Sequence, residues 1–243
     1  MFYTNGAFYY IYLFSSLAIV VPLIIWLSIK NKKETLTNKL KPIKYIWITL
    51  IILEVLKIWW LIYELGSLPP NRFPLVFCSI ILYTCPLFCF KETKLSEAAR
   101  GLSIIPAMIA TMAFLILPGD IRLQFPHTFT TYILAAHSFL FHTIMMGIAI
   151  YMIVVKIYVF KRNNYIPAFL AYATYIGIAT GLSLLIGADI SIFGPDSPNL
   201  GIIYDIAGYL PGQIALLGSL FFIYMLIHFL VTIKDNQKIT LVN

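Results

Sequence analysis

His137 and His142 stand inside the apolar run AAHSFLFHTIMM, Ala135 to Met146. An ionisable ring is costly there, and it is kept either for a hydrogen bond between helices or for chemistry. On a helix of about 100° per residue, a spacing of five turns the second ring about 140° from the first, so the two do not share a face. His142 continues a stripe with Thr131 and Ser138, at spacings of seven and four, and His127 lies near the outer end of that stripe. The stripe is expected to face the interior of a bundle. His137, off the stripe and about one turn nearer the outer surface, is expected to meet another helix or a lipid headgroup. His228, near the inner end of the last apolar run, is expected at the interface.

The cysteines Cys78, Cys85 and Cys89 fall in one segment, FPLVFCSIILYTCPLFCF, at spacings of seven and four that put them on one helical face. Adjacent helical turns rarely give disulfide geometry, so free thiols are expected. No Cys-x-x-Cys or closely spaced His set is present, and neither a metal nor a cofactor is called for. Cys85 and Cys89 read as small apolar packing residues. Cys78 differs because it sits one turn below the outer end of its segment, just after LPPNRFP, where water and lipid esters both reach. A nucleophilic thiol in an apolar setting needs an imidazole or a positive charge to supply thiolate, and either His142 or His137 can serve. Glu54 and Lys57, in LEVLKIWW, share a helical face at a spacing of three. They are expected to pair as a structural or site-lining ion pair rather than as a proton pathway.

The elements that position these residues follow from composition. With 60% hydrophobic and 11% charged residues in 243, the chain has too little polar surface to face water and reads as an integral membrane protein. Seven apolar runs are predicted to be transmembrane helices: Phe8–Ile29, Tyr45–Leu65, Pro74–Phe90, Leu102–Leu117, Thr130–Val155, Tyr165–Gly187 and Tyr209–Ile233. The fold class is therefore all-α, one polytopic bundle spanning residues 1–243 without a soluble domain. The third and fourth runs contain Pro86 and Pro106, which a membrane helix keeps when neighbours satisfy the freed carbonyl. The first run lacks a basic leader and a small-residue cleavage pattern, so it is expected to stay as an anchor.

One set of loops carries Lys30, Lys32, Lys33, Lys39, Lys41, Lys44, Lys91, Lys94, Arg100, Lys156, Lys161, Arg162, Lys234 and Lys238; the opposite set carries Arg72 and Arg122. The basic side is expected to be cytoplasmic, with the N-terminus outside and the C-terminus inside. The net charge of +7 thus reflects topology, with anionic lipid contacts as a secondary use. Division of the basic residues among separate loops excludes a nucleic-acid surface. The long connections are KNKKETLTNKLKPIK and the turn-rich outer loop Ala188 to Gly208, a candidate lid over an outward-facing site. No internal repeat relates the first and last three runs, which counts against transporters built from duplicated halves.

Three segments together carry a resemblance: LPPNRFPLVFCSIILYTCPL, HSFLFHTIMMGIAIYMIV and GADISIFGPDSPNLGIIYDIAGYLPG. In this order they resemble the YwaF family of bacterial membrane proteins, which is similar to the transmembrane protein 164 acyltransferases. Val76 stands where a His is often found two residues before the cysteine, and Asp189-Ile190 where an Asn-Tyr pair is found. The resemblance implies Cys78 as nucleophile and His142 as its base, with Asp189 and Asp205 at matching polar loop positions. It implies acyl transfer from a phospholipid or glycolipid to a second lipid through a thioester, in the bacterial cytoplasmic membrane, with membrane lipids as both substrate and solvent. Protein partners are left open. Two other classes remain: a small-solute transporter or transport-complex subunit lined by Glu54, Lys57 and the histidines, and a packing or sensory membrane protein.

Overall fold

A computed structural model of the chain describes residues 6–69, 72–74, 79–90, 92–93, 95–116, 129–160, 165–187 and 208–240. Among the described residues there are seven helices and no strand: α1 (Gly6–Asn31), α2 (Leu36–Leu65), α3 (Ile80–Cys89), α4 (Ser96–Ile116), α5 (Phe129–Val154), α6 (Tyr165–Ile186) and α7 (Tyr209–Thr240). Four contain segments long and apolar enough to cross a membrane: Tyr10–Asn31, Leu36–Leu65, Tyr132–Val154 and Ile166–Ile186. The 10 residues of α3 extend about 15 Å, half of a hydrocarbon core.

The basic connection between α1 and α2 is shorter than its composition implies. α2 begins at Leu36, so only residues 32–35 separate the two helices, and Lys39, Lys41 and Lys44 ride on the helix itself. Leu40 and Ile43 explain the extension, because they bury themselves in the core from the same turns that carry the lysines outward. Gly66, at φ 72°, stops α2 in the left-handed region and donates its N–H to the Ile62 carbonyl at 2.9 Å.

Pro86 lies inside α3 and leaves the Leu82 carbonyl without its helical donor. The indole N–H of Trp47 on α2 donates to that carbonyl at 2.8 Å. The Trp47 ring also meets Phe90 edge-on, while Lys44 lies over the same Phe90 ring, so α2 and α3 run antiparallel. Thr84 and Ser103 hydroxyls meet at 2.5 Å and make α3 and α4 an antiparallel hairpin.

α5 is the hub, packed against α1, α2 and α4, while α4 also touches α3 and α6, and α7 joins through α6. α1 and α5 run parallel, since Tyr12 stacks on Phe139, Ser16 meets the Thr143 hydroxyl at 3.0 Å, and Val20 and Ile24 lie against Gly147. A Cβ on Gly147 would sit 2.8 Å from Ile24 Cγ1, so glycine permits this backbone approach. The segment after α5 turns sharply at Lys156, a non-glycine residue at φ 60°. Its N–H donates to Ile153 and that of Ile157 to Met152, which satisfies the last carbonyls of the helix.

That turn tucks Tyr158 beneath the bundle and corrects the expectation for His228. His228 is buried, not interfacial: its Nδ1–H donates to the Tyr224 carbonyl at 2.8 Å, and its Nε2 accepts from the Tyr158 hydroxyl at 3.0 Å. The helix directions gather Lys30, Lys32, Lys33, Lys39, Lys41, Lys44, Arg100 and Lys156 at one end of the bundle. Arg72, after α2, lies at the other end.

Candidate functional site

α5 carries His137, Ser138 and His142 through the centre of the bundle; Thr131 belongs to the same helix, with its side chain outside the described residues. Cys78, Asp189, Asp205 and His127 also lie outside the described residues. Ser79, which follows Cys78, is buried and stands at the N-cap position of α3 without a side-chain capping hydrogen bond. One turn into that helix, Tyr83 donates its hydroxyl to the Pro74 carbonyl at 2.7 Å, tying the chain before Cys78 to the helix after it.

His142 has a defined tautomer. Its Nδ1 lies 2.7 Å from the Ser138 carbonyl, an acceptor, so the neutral ring carries its proton there and presents the Nε2 lone pair. The His142 carbonyl in turn accepts from the Thr111 hydroxyl of α4 at 2.9 Å, which joins the helix backbone to its neighbour at the depth of the imidazole. A half-buried imidazole held through one nitrogen by a backbone carbonyl, so that the other is the basic one, has the form of a general base.

His137 points elsewhere. Its Nε2 lies 3.5 Å from Glu54 Oε2 on α2 and makes no hydrogen bond, while its ring stacks on Phe141 at 5.6 Å. Glu54 is 4% exposed and pairs through Oε1 with Lys57 on its own helix. A second contact fixes the register: the Trp60 indole donates to the Thr130 hydroxyl at 3.3 Å, with Phe129 edge-on to the Trp60 ring. Six residues from Glu54 to Trp60 rise about 9 Å and seven from Thr130 to His137 about 10.5 Å, so antiparallel α2 and α5 meet at both points without distortion.

The structure therefore brings Glu54, Lys57 and His137 together between α2 and α5, with His142 farther along α5 on another of its faces. The Tyr83 tie to Pro74 beside the Cys78 segment was missed by sequence reasoning, because a tyrosine in an apolar run carries no signal apart from its neighbours. Cys85 is buried and Cys89 half-buried, both as free thiols on α3. Among the described residues no group of three or more His, Cys, Asp or Glu side chains is placed to hold a metal ion.

No curated protein and no solved structure matches the chain. Residues 2–232 match the TMEM164 family, so nearly the whole bundle, from α1 through most of α7, is accounted for by one family pattern. The apolar spanning helices agree with that match, and the chain is a membrane protein that belongs to the TMEM164 family.

Proposed function

We propose that this chain is an integral membrane lipid acyltransferase of the YwaF kind, moving a fatty acyl chain from a phospholipid or glycolipid to a second lipid. Cys78 is the nucleophile and His142 its base. The thiol proton passes to His142 Nε2 and sulfur attacks the donor ester carbonyl. The C–S bond forms, the C–O bond breaks, and the lyso-lipid oxygen leaves with the proton from His142. The acceptor's hydroxyl or amine then gives a proton to an imidazole of the site and attacks the thioester, releasing the thiolate. Asp189 and Asp205, within the loop of residues 188–208, line the entrance from the outer leaflet in this reading, and Ser138 and Thr131 line the α5 face.

The observation that carries the reading is the His142 ring, oriented by the Ser138 carbonyl so that Nε2 is the acceptor, in a chain of the TMEM164 family. The same reading places the N-terminus outside, the C-terminus in the cytoplasm, and residues 1–243 in the bacterial cytoplasmic membrane as one bundle domain. Lipid mass spectrometry of cells with and without the protein tests it. A shift in acyl composition of one donor–acceptor lipid pair, lost in His142→Ala at unchanged folded yield, is the expected result; identical lipidomes contradict it. Small-solute transport is favoured by one observation, the charged Glu54–Lys57 pair inside the bundle. Transport predicts full activity in Cys78→Ala and loss in Glu54→Gln.

A further inference from the structure

The Glu54–Lys57–His137 cluster has more ionisable groups than packing needs. A buried ion pair is replaceable by apolar side chains of similar volume with little loss of stability. Here a third group faces the pair: Glu54 Oε1 is taken by Lys57, and Oε2 is left 3.5 Å from a buried His137 nitrogen that has no hydrogen bond. The stack on Phe141 fixes the plane of the ring. An imidazole with Nε2–H toward a carboxylate presents the lone pair of Nδ1, the opposite tautomer to that of His142. The two rings also differ in partner, a carboxylate for His137 and a neutral carbonyl for His142.

We propose that Glu54, pinned by Lys57, is a positioning residue that holds His137 as a second acid–base group, used to unload the acyl-enzyme onto the acceptor lipid. The proposal rests on the acyltransferase reading above. Two groups must be deprotonated in that reaction, the thiol and the acceptor. The imidazoles are five residues apart on α5, about 7.5 Å along its axis and about 140° around it, so each can serve a separate proton transfer.

In the unloading step the acceptor hydroxyl gives its proton to His137 Nδ1 and its oxygen attacks the thioester carbon. The C–O bond forms, the C–S bond breaks, and sulfur leaves as thiolate. The proton held on His137 returns by way of His142 to Cys78, which restores the enzyme. During transfer the carboxylate of Glu54 keeps the ring oriented and stabilises the imidazolium that forms. Around His137 the charged and titratable groups are Glu54 and Lys57 from α2 and His142 on α5 itself. From the described parts of α1 and α4, the Tyr12 ring and the Ser16 and Thr111 hydroxyls meet α5, while Glu97 and Arg100 lie at the basic end.

The test separates loading from unloading. Full-length protein in nanodiscs of phosphatidylcholine is followed by intact mass for the acyl adduct, and a lyso-phospholipid alcohol is then added as acceptor. Native protein is expected to load and unload. Glu54→Gln and His137→Gln are expected to load at near-native rate and to unload about 100-fold more slowly, the size of a lost general base. The pH dependence of unloading should lose its acid limb in His137→Gln and shift in Glu54→Gln, a change that a purely structural pair would not produce. The double variant Glu54→Gln/Lys57→Met, which removes both charges together, should fold as well as native protein and remain slow to unload. Native-like unloading in the double variant overturns the proposal, as does equal loss of loading and unloading in Glu54→Gln at native folded yield. Absence of any acyl adduct on native protein overturns the acyltransferase reading itself, and this inference with it.

Discussion

Replacing Trp47 by Phe removes one hydrogen bond whose importance is set by a proline on another helix. The indole N–H supplies the Leu82 carbonyl at 2.8 Å, and that carbonyl lacks a helical donor because Pro86 occupies the position four residues on. Leaving a buried carbonyl unpaired costs about 1–3 kcal/mol in soluble proteins, whereas interhelical hydrogen bonds in membranes average about 0.6 and reach about 1.7 kcal/mol. Trp47→Phe should therefore cost about 1–2 kcal/mol, the upper part of the membrane range, since the orphaned group is main chain inside α3. Pro86→Ala provides the missing N–H. In that background Trp47→Phe loses only ring area against Phe90, and its cost should fall by about 1 kcal/mol. The four proteins are compared by equilibrium SDS titration in mixed micelles, followed by far-ultraviolet circular dichroism. Costs for Trp47→Phe that agree within about 0.3 kcal/mol in the two backgrounds would refute the coupling.

Gly147→Ala should destabilise the bundle by about 1–3 kcal/mol in the same titration, because its Cβ would meet Ile24 Cγ1 at 2.8 Å and Val20 Cγ1 at 2.9 Å. Lys156→Gly should stabilise it by about 1 kcal/mol, since residue 156 holds a left-handed backbone at φ 60° that only glycine adopts freely; unchanged stability would show that the lysine carries no strain. A cysteine at Ser197 in a Cys-free background should label with an impermeant maleimide on intact cells, and labelling only after permeabilisation would reverse the proposed orientation.

The hydropathy of the chain was enough to locate seven helices, but it reports the thickness of a membrane rather than the ends of helices. α2 begins nine residues before the expected Tyr45, α4 six before Leu102, and α7 ends seven after Ile233. In each case polar turns continue a helix past its apolar run. The third segment shows the converse: among the described residues its helix begins at Ile80, within the run expected from Pro74. Tolerance of Pro86 was legible in principle, whereas its donor was not, because Trp47 is 39 residues away and on another helix. The Glu54–Lys57 pair could be read from a spacing of three. The approach of His137 to Glu54 could not, since periodicity assigns a residue to a face but does not set the register between two helices. His228 was misread for a related reason. A histidine near a helix end suggests an interface, but the tight turn at Lys156 folds Tyr158 over it.

The central claim is that Cys78 carries the acyl group between lipids. Purified protein incubated with phospholipid and no acceptor should gain the mass of one fatty acyl chain, released by neutral hydroxylamine and mapped to Cys78. Cys85→Ser and Cys89→Ser proteins should keep both the adduct and lipid turnover, and Cys78→Ser should lose both. A Cys78→Ser protein that still transfers acyl chains at the native rate would contradict the covalent mechanism.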